Sequence, residues 1–219
     1  MPLSAYVEKH KRVAEAMQGV DPGLVLVAVG NAGEWSRTML AECRDHMDLI
    51  SEHIYCKELD DPQAHIRQIP DKIRRVAEIH RNYRDEVAGL AEKNIRIAMD
   101  EWNYWHGYYL YGELGCRYYL KDALGIAAGF HEFYRNSDLY FMANYAQTVN
   151  VIGAIKTTDR AVEFATTGIV LKLYRNHYGQ IPVECLNIPE PLDIEAAIDT
   201  THNLVTLSVI NPGDRSVDF

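Results

Sequence analysis

The sequence predicts an α/β fold, about half of a (β/α)8 TIM barrel followed by the beginning of an antiparallel β-sandwich domain. Three observations predict it. Apolar, strand-like runs alternate with helix-period segments four times, at the spacing of βα units. Polar and aromatic residues recur where those runs end, at Asn31, at His53 with Tyr55, at Glu101 with Trp105 and at Asn144 with Gln147, where a barrel places its chemistry. From Ile181 onward the texture changes to short β-patterned runs divided by Pro, Asp and Asn turns.

Ser4 is placed to cap a first helix in which Tyr6, His10, Val13, Ala14 and Met17 keep helical spacing, and Gly19 with Asp21-Pro22 stops it. Residues 24–29 form a continuous apolar run closed by Gly30-Asn31, the pattern of a parallel strand covered on both faces. A helix over 35–43 and a strand over 49–55 follow. The next helix carries Ile69, Ile73, Val76, Ala77 and His80 on one face and leads to a third strand, 95–99, where Ile95, Ile97 and Met99 alternate. An aromatic loop with His106, Tyr108, Tyr109 and Tyr111 suits an outer sugar subsite or a lid on the barrel rim. After it come a helix bearing Leu120, Leu124, Ala127, Ala128 and His131, a strand over 139–143, and a helix over 162–177. Residues 1–180 are therefore assigned to a partial barrel, and 181–219 to the first strands of a truncated sandwich. Four units are half of eight, so both sheet edges need cover. The unfinished β region favours a piece of a longer enzyme over two chains completing one barrel.

The formal charge of −9 is spread along the chain, which argues against a nucleic-acid groove or a polybasic membrane patch. Cys43, Cys56, Cys116 and Cys185 are far apart and lack zinc-ligand spacing, so reduced thiols without a structural metal are expected. No cofactor is implied. The N-terminus lacks an apolar leader core, which places the chain in the cytoplasm. His65, His80, His131 and His177 fall on helices and read as helix-face residues.

The segment Asp100-Glu101-Trp102-Asn103-Tyr104-Trp105 concentrates the chemistry. Aromatic faces suit a sugar ring, amides and phenols suit its hydroxyls, and a carboxylate can attack an anomeric carbon. A helix cap at Asp100 and a core Trp102 are the plain structural reading of the same residues. Neighbours on a strand face opposite ways, so Asp100 and Glu101 cannot both address one sugar carbon.

Val20-Asp21-Pro22, Ser51-Glu52-His53-Ile54-Tyr55, Met99-Asp100-Glu101-Trp102-Asn103, the run from Met142 to Ile152, and Thr166-Thr167-Gly168 together resemble the α-L-arabinofuranosidases of glycoside hydrolase family 51. The resemblance implies a retaining exo-hydrolase removing terminal α-L-arabinofuranosyl groups from arabinan, arabinoxylan or their oligosaccharides. It also implies that the visible strands are the fifth to eighth of the barrel and that the full-length proteins are homo-oligomers. By the same resemblance Glu101 is the nucleophile, and His53, Tyr55, Trp105 and Gln147 hold the nucleophile and the sugar. The family's acid/base Glu, in an Asn-Glu pair after the fourth strand, is expected before Met1. Glu34 imitates it, but its spacing from Asn31 is wrong and it follows the next strand. The chain alone is therefore expected to hydrolyse aryl arabinofuranosides negligibly. Two other classes stay open: a non-catalytic sugar-binding remnant, and a metal-dependent sugar isomerase using His53, Asp100 and Glu101 as ligands.

Overall fold

The chain begins with helix α1 (Leu3–Val20), and then strands and helices alternate: β1 (Val27–Ala28), α2 (Glu34–Cys43), β2 (Leu49–Cys56), α3 (Pro62–Glu86), β3 (Arg96–Tyr104), α4 (Leu120–Arg135) and β4 (Tyr140–Tyr145). These elements come from a computed structural model that describes residues 1–107 and 115–217. Tyr108, Tyr109 and Tyr111 of the expected aromatic loop lie outside the described residues. The four strands form one sheet in chain order, and β1 pairs with β2 in parallel, Val27 against Leu49 and Ala28 against Ile50. Sequential strand order with a helix in every connection is the arrangement expected of βα units. A hairpin, β5 (Ile155–Thr157) with β6 (Val162–Phe164), precedes α5 (Thr166–His177). An antiparallel sheet ends the described chain, with β8 (Asp193–Asp199) between β7 (Ile181–Val183) and β9 (Leu204–Ile210).

Two compact units divide the chain. The first comprises Met1–His53, Arg75–Glu101 and Asp138–Asn144; the second comprises Ile54–Arg74, Trp102–Ser137 and Tyr145–Phe219. In the first, Met39, Leu40 and Cys43 of α2 pack with Ala28, Ile50, Tyr83, Val87 and Ile95, joined by Val7 of α1. In the second, Ile66, Ala127, Ala128 and Ile210 form a cluster under Leu124, Val170 and Tyr174. Trp102 is buried there, edge-on to Phe130, Phe133 and Tyr145.

Several elements depart from the sequence expectation. The first strand is two residues long rather than six; among the described residues it pairs with β2 alone, and Leu24, Val25, Val27 and Val29 are exposed. Within the described residues it is therefore not covered on both faces. Ser4 does not cap α1; Pro2 occupies the cap position, where its missing N–H costs nothing. The third strand continues through Glu101 to Tyr104, so Glu101 lies within it rather than beyond it, as His53 lies within β2. Residues 162–164, read as the start of a helix, form β6, and α5 begins at Thr166. All four cysteines are free thiols, three of them buried. No helix among the described residues is long and apolar enough to cross a membrane.

Candidate active site

In the first unit the site is built on β2 and β3. Strand alternation turns Glu52 inward and His53 outward. His53 Nδ1 stands 3.8 Å from Glu101 Oε2, and the two side chains are 48% and 46% exposed, so the carboxylate is reachable by a ligand while an imidazole faces it. Ser51 Oγ lies 3.3 Å from His53 Nε2 and steadies the ring from its other nitrogen.

Glu52 is buried behind this pair. Its carboxylate accepts bonds from Ala32 N–H at 2.7 Å and Ser36 Oγ at 2.6 Å, and faces His80 Nε2 at 2.9 Å. His80 is thus a buried partner of a carboxylate, not merely a helix-face residue. The signal for it was present in the sequence. Ile50, Glu52 and Ile54 share one strand parity, and a carboxylate on an apolar parity must find partners inside.

In the second unit the Tyr55 and Trp105 rings meet edge-on with centroids 5.3 Å apart. They line a pocket of about 610 Å³ together with Cys56, Lys57, Glu58, His106 and Gly107. The backbone N–H of Trp105 donates to Cys56 O at 2.8 Å, and the residue is 46% exposed. Behind the pocket, Asp122 faces His106 Nε2 at 3.0 Å and His65 Nε2 at 3.1 Å, and accepts Tyr119 N–H at 2.7 Å as part of the α4 cap. Burial would raise the Asp122 carboxyl, but its bonds from His106 and Tyr119 outweigh that and hold it below the usual carboxylate range. Burial also lowers His65, against the pull of Asp122. His65 is therefore a packed structural group, stacked on Tyr104 at 4.3 Å.

Asn103 has a different task from the sugar contact its motif suggests. It is fully buried, and the two N–H groups of its Nδ2 have three acceptors within reach, Ala146 O at 2.5 Å, Ile152 O at 2.7 Å and the Tyr118 hydroxyl at 3.0 Å. Tyr118 donates in turn to Tyr104 O at 2.8 Å. The pair pins the segment that carries Gln147, whose exposed amide donates to Val149 O at 3.1 Å. The structure thus pairs His53 with Glu101 and Tyr55 with Trp105, and leaves Gln147 on a loop fixed by Asn103. Among the described residues no group of three or more His, Cys, Asp or Glu side chains is arranged to hold a metal ion.

Comparison with known proteins adds a second line. Residues 100–199 match a family model described as the α-L-arabinofuranosidase C-terminal domain. The chain is 31% identical over 199 residues to a probable α-L-arabinofuranosidase C of Aspergillus flavus, covering 81% of this chain and 39% of that protein. It is 27% identical to an intracellular exo-α-(1→5)-L-arabinofuranosidase of Streptomyces lividans, covering 84% of this chain and 32% of the relative. A solved α-L-arabinofuranosidase from Thermotoga maritima, in complex with arabinose, superposes with a TM-score of 0.83 at 25% identity, over 96% of this chain and 48% of that one. The chain thus spans between a third and a half of the length of these proteins.

Proposed function

We propose that this chain, a C-terminal portion of a family 51 α-L-arabinofuranosidase, furnishes the nucleophile side of a retaining exo-hydrolase. The substrates are terminal non-reducing α-L-arabinofuranosyl groups of arabinan, arabinoxylan or their oligosaccharides. The observation that carries the reading is the half-exposed Glu101 carboxylate 3.8 Å from His53.

The Glu101 carboxylate attacks the anomeric carbon as the bond to the leaving oxygen breaks, and that oxygen takes a proton from a second carboxyl group. The product is an arabinosyl ester on Glu101. Water, giving its proton to that second carboxylate, then adds at the same carbon as the ester bond breaks, freeing arabinose with retained configuration and restoring both groups. His53 orients Glu101, Tyr55 and Trp105 wall the sugar, and Gln147 binds a hydroxyl. The second carboxyl must stand about 5 Å from the first. Glu52 is committed to three partners, two of them buried side chains, and Glu34 occupies the first turn of α2, accepting Thr38 Oγ1 at 3.3 Å. We assign the acid to a Glu outside this sequence, in line with the family resemblance. The four βα units are then strands five to eight of a (β/α)8 barrel, with 181–219 opening a β-sandwich. Full-length proteins of this type would be homo-oligomers. A cytoplasmic location is supported by the intracellular description of the Streptomyces relative.

A dinitrophenyl α-L-arabinofuranoside tests this, because dinitrophenolate departs without protonation. At most about one equivalent of dinitrophenolate per chain, released slowly, absent in Glu101→Ala and not followed by turnover, is expected, together with no hydrolysis of alkyl arabinofuranosides. Equal release by wild type and Glu101→Ala would refute the assignment.

A further inference from the structure

Only 2% of Glu52 is exposed, yet it carries a carboxylate at a strand parity otherwise filled by Ile50, Ile54 and Cys56. Burying that charge costs several kcal/mol even when it is partnered, and an apolar side chain at such a position often serves stability as well or better. Stability therefore does not account for the residue. Its geometry does.

The three groups around the Glu52 carboxylate come from three places: Ala32 from the β1–α2 loop, Ser36 from α2 and His80 from α3. Ser36 Oγ also accepts Asn31 N–H at 2.8 Å, and the Tyr83 hydroxyl accepts Gly33 N–H at 2.6 Å. The amides of Asn31, Ala32 and Gly33 are thus each held by a side chain anchored in the core. A Cβ at Gly30 would fall 2.0 Å from Ser51 O, so the loop also lies directly on β2. Extending the β1–β2 register from Ala28 against Ile50 sets Asn31 level with His53.

We propose that Glu52 is a positioning residue for the Glu101 site, acting with Ser36 and His80 to fix His53 and the 30–33 loop beside the nucleophile. The proposal rests on the reading of Glu101 as nucleophile. Displacing a reacting group by about 1 Å can cost on the order of 10²-fold in rate, so a buried clamp one residue from His53 has direct leverage on the reaction.

The test compares wild type, Glu52→Gln and Ser36→Ala in their labelling by a 2-deoxy-2-fluoro-α-L-arabinofuranoside with a dinitrophenyl leaving group. Glu52→Gln keeps the volume and removes the charge; Ser36→Ala removes one of the three bonds and carries the test if the first variant does not fold. Expected are unchanged final labelling and a first-order labelling constant lower by roughly ten- to a hundredfold. A merely structural role would reduce the fraction of chains labelled without changing the constant, and that result would overturn the proposal. So would a wild-type constant in both variants, leaving the nucleophile assignment intact. No label on the wild type would refute that assignment, and the proposal with it.

Discussion

Replacing Asn103 by Ala removes a buried amide that no solvent can replace. Ala146 O loses its Asn103 partner, whereas Ile152 O keeps the Tyr118 hydroxyl at 3.1 Å. The first loss strands a part-buried carbonyl, at about 1–2 kcal/mol, and the second removes one buried bond, at about 1 kcal/mol. The sum is about 2–3 kcal/mol, and at about 2–4 °C per kcal/mol for a chain of this size the melting midpoint should fall by about 4–12 °C. Thermal unfolding followed by circular dichroism measures this, and hydrogen exchange locates it. The amides of 146–152, including Gln147, should exchange faster in the variant while those of α2 do not change. A variant melting within about one degree of wild type, with unchanged exchange over 146–152, would refute the view that Asn103 holds this segment.

Three other outcomes follow from the same structure. A Cβ at Gly125 would meet the Tyr104 hydroxyl at 1.9 Å, and that hydroxyl is held by His65 O at 2.8 Å, so Gly125→Ala should destabilise by about 1–3 kcal/mol. Gly19→Ala on α1, with no atom within 4 Å, is the matched control and should stabilise slightly; urea midpoints distinguish them. Burial would raise Asp193, but His131 Nδ1, 3.1 Å away, and the Arg135 guanidinium outweigh that and keep it below the ordinary carboxylate value. Its contribution to stability is therefore full above about pH 4, the unfolded value, and lost as pH falls through the lower folded value. Asp193→Asn should flatten the acid limb of the melting profile, and an unchanged limb would contradict this. Burial pushes the Cys56 thiol up to about 11 and raises Cys43 and Cys116 as well. A thiol reagent at roughly pH 8 should modify Cys185 first in the native chain, as peptide mass mapping would show.

The order of strands and helices was legible because each long element carries its own period: Ile95, Ile97 and Met99 for β3, and Ile69, Ile73 and Val76 for α3. Where periodicity was short it misled. Residues 24–29 are apolar enough for a covered strand, yet composition cannot show that only Val27 and Ala28 pair with β2 among the described residues. The β5–β6 hairpin was missed because three-residue strands are shorter than any window that resolves period two. Glu101 and His53 stood out as polar residues closing apolar runs, and they meet. Asn103 looked like a sugar ligand by type, but its partners, Ala146 O and Ile152 O, are backbone atoms more than forty positions away. His131 was read as a helix-face residue, yet it is buried, with Ser208 Oγ at 2.7 Å and the Tyr174 hydroxyl at 2.8 Å. Such partners belong to tertiary structure, and local spacing does not encode them.

In the proposed mechanism Glu101 forms the bond to the sugar. The most direct measurement is peptide mapping by mass spectrometry after exposure to the dinitrophenyl 2-deoxy-2-fluoro-α-L-arabinofuranoside. One fluoro-arabinosyl group per chain is expected, on the peptide containing Glu101, and none in Glu101→Gln. A label on any other carboxylate, or one that persists in Glu101→Gln, would contradict it.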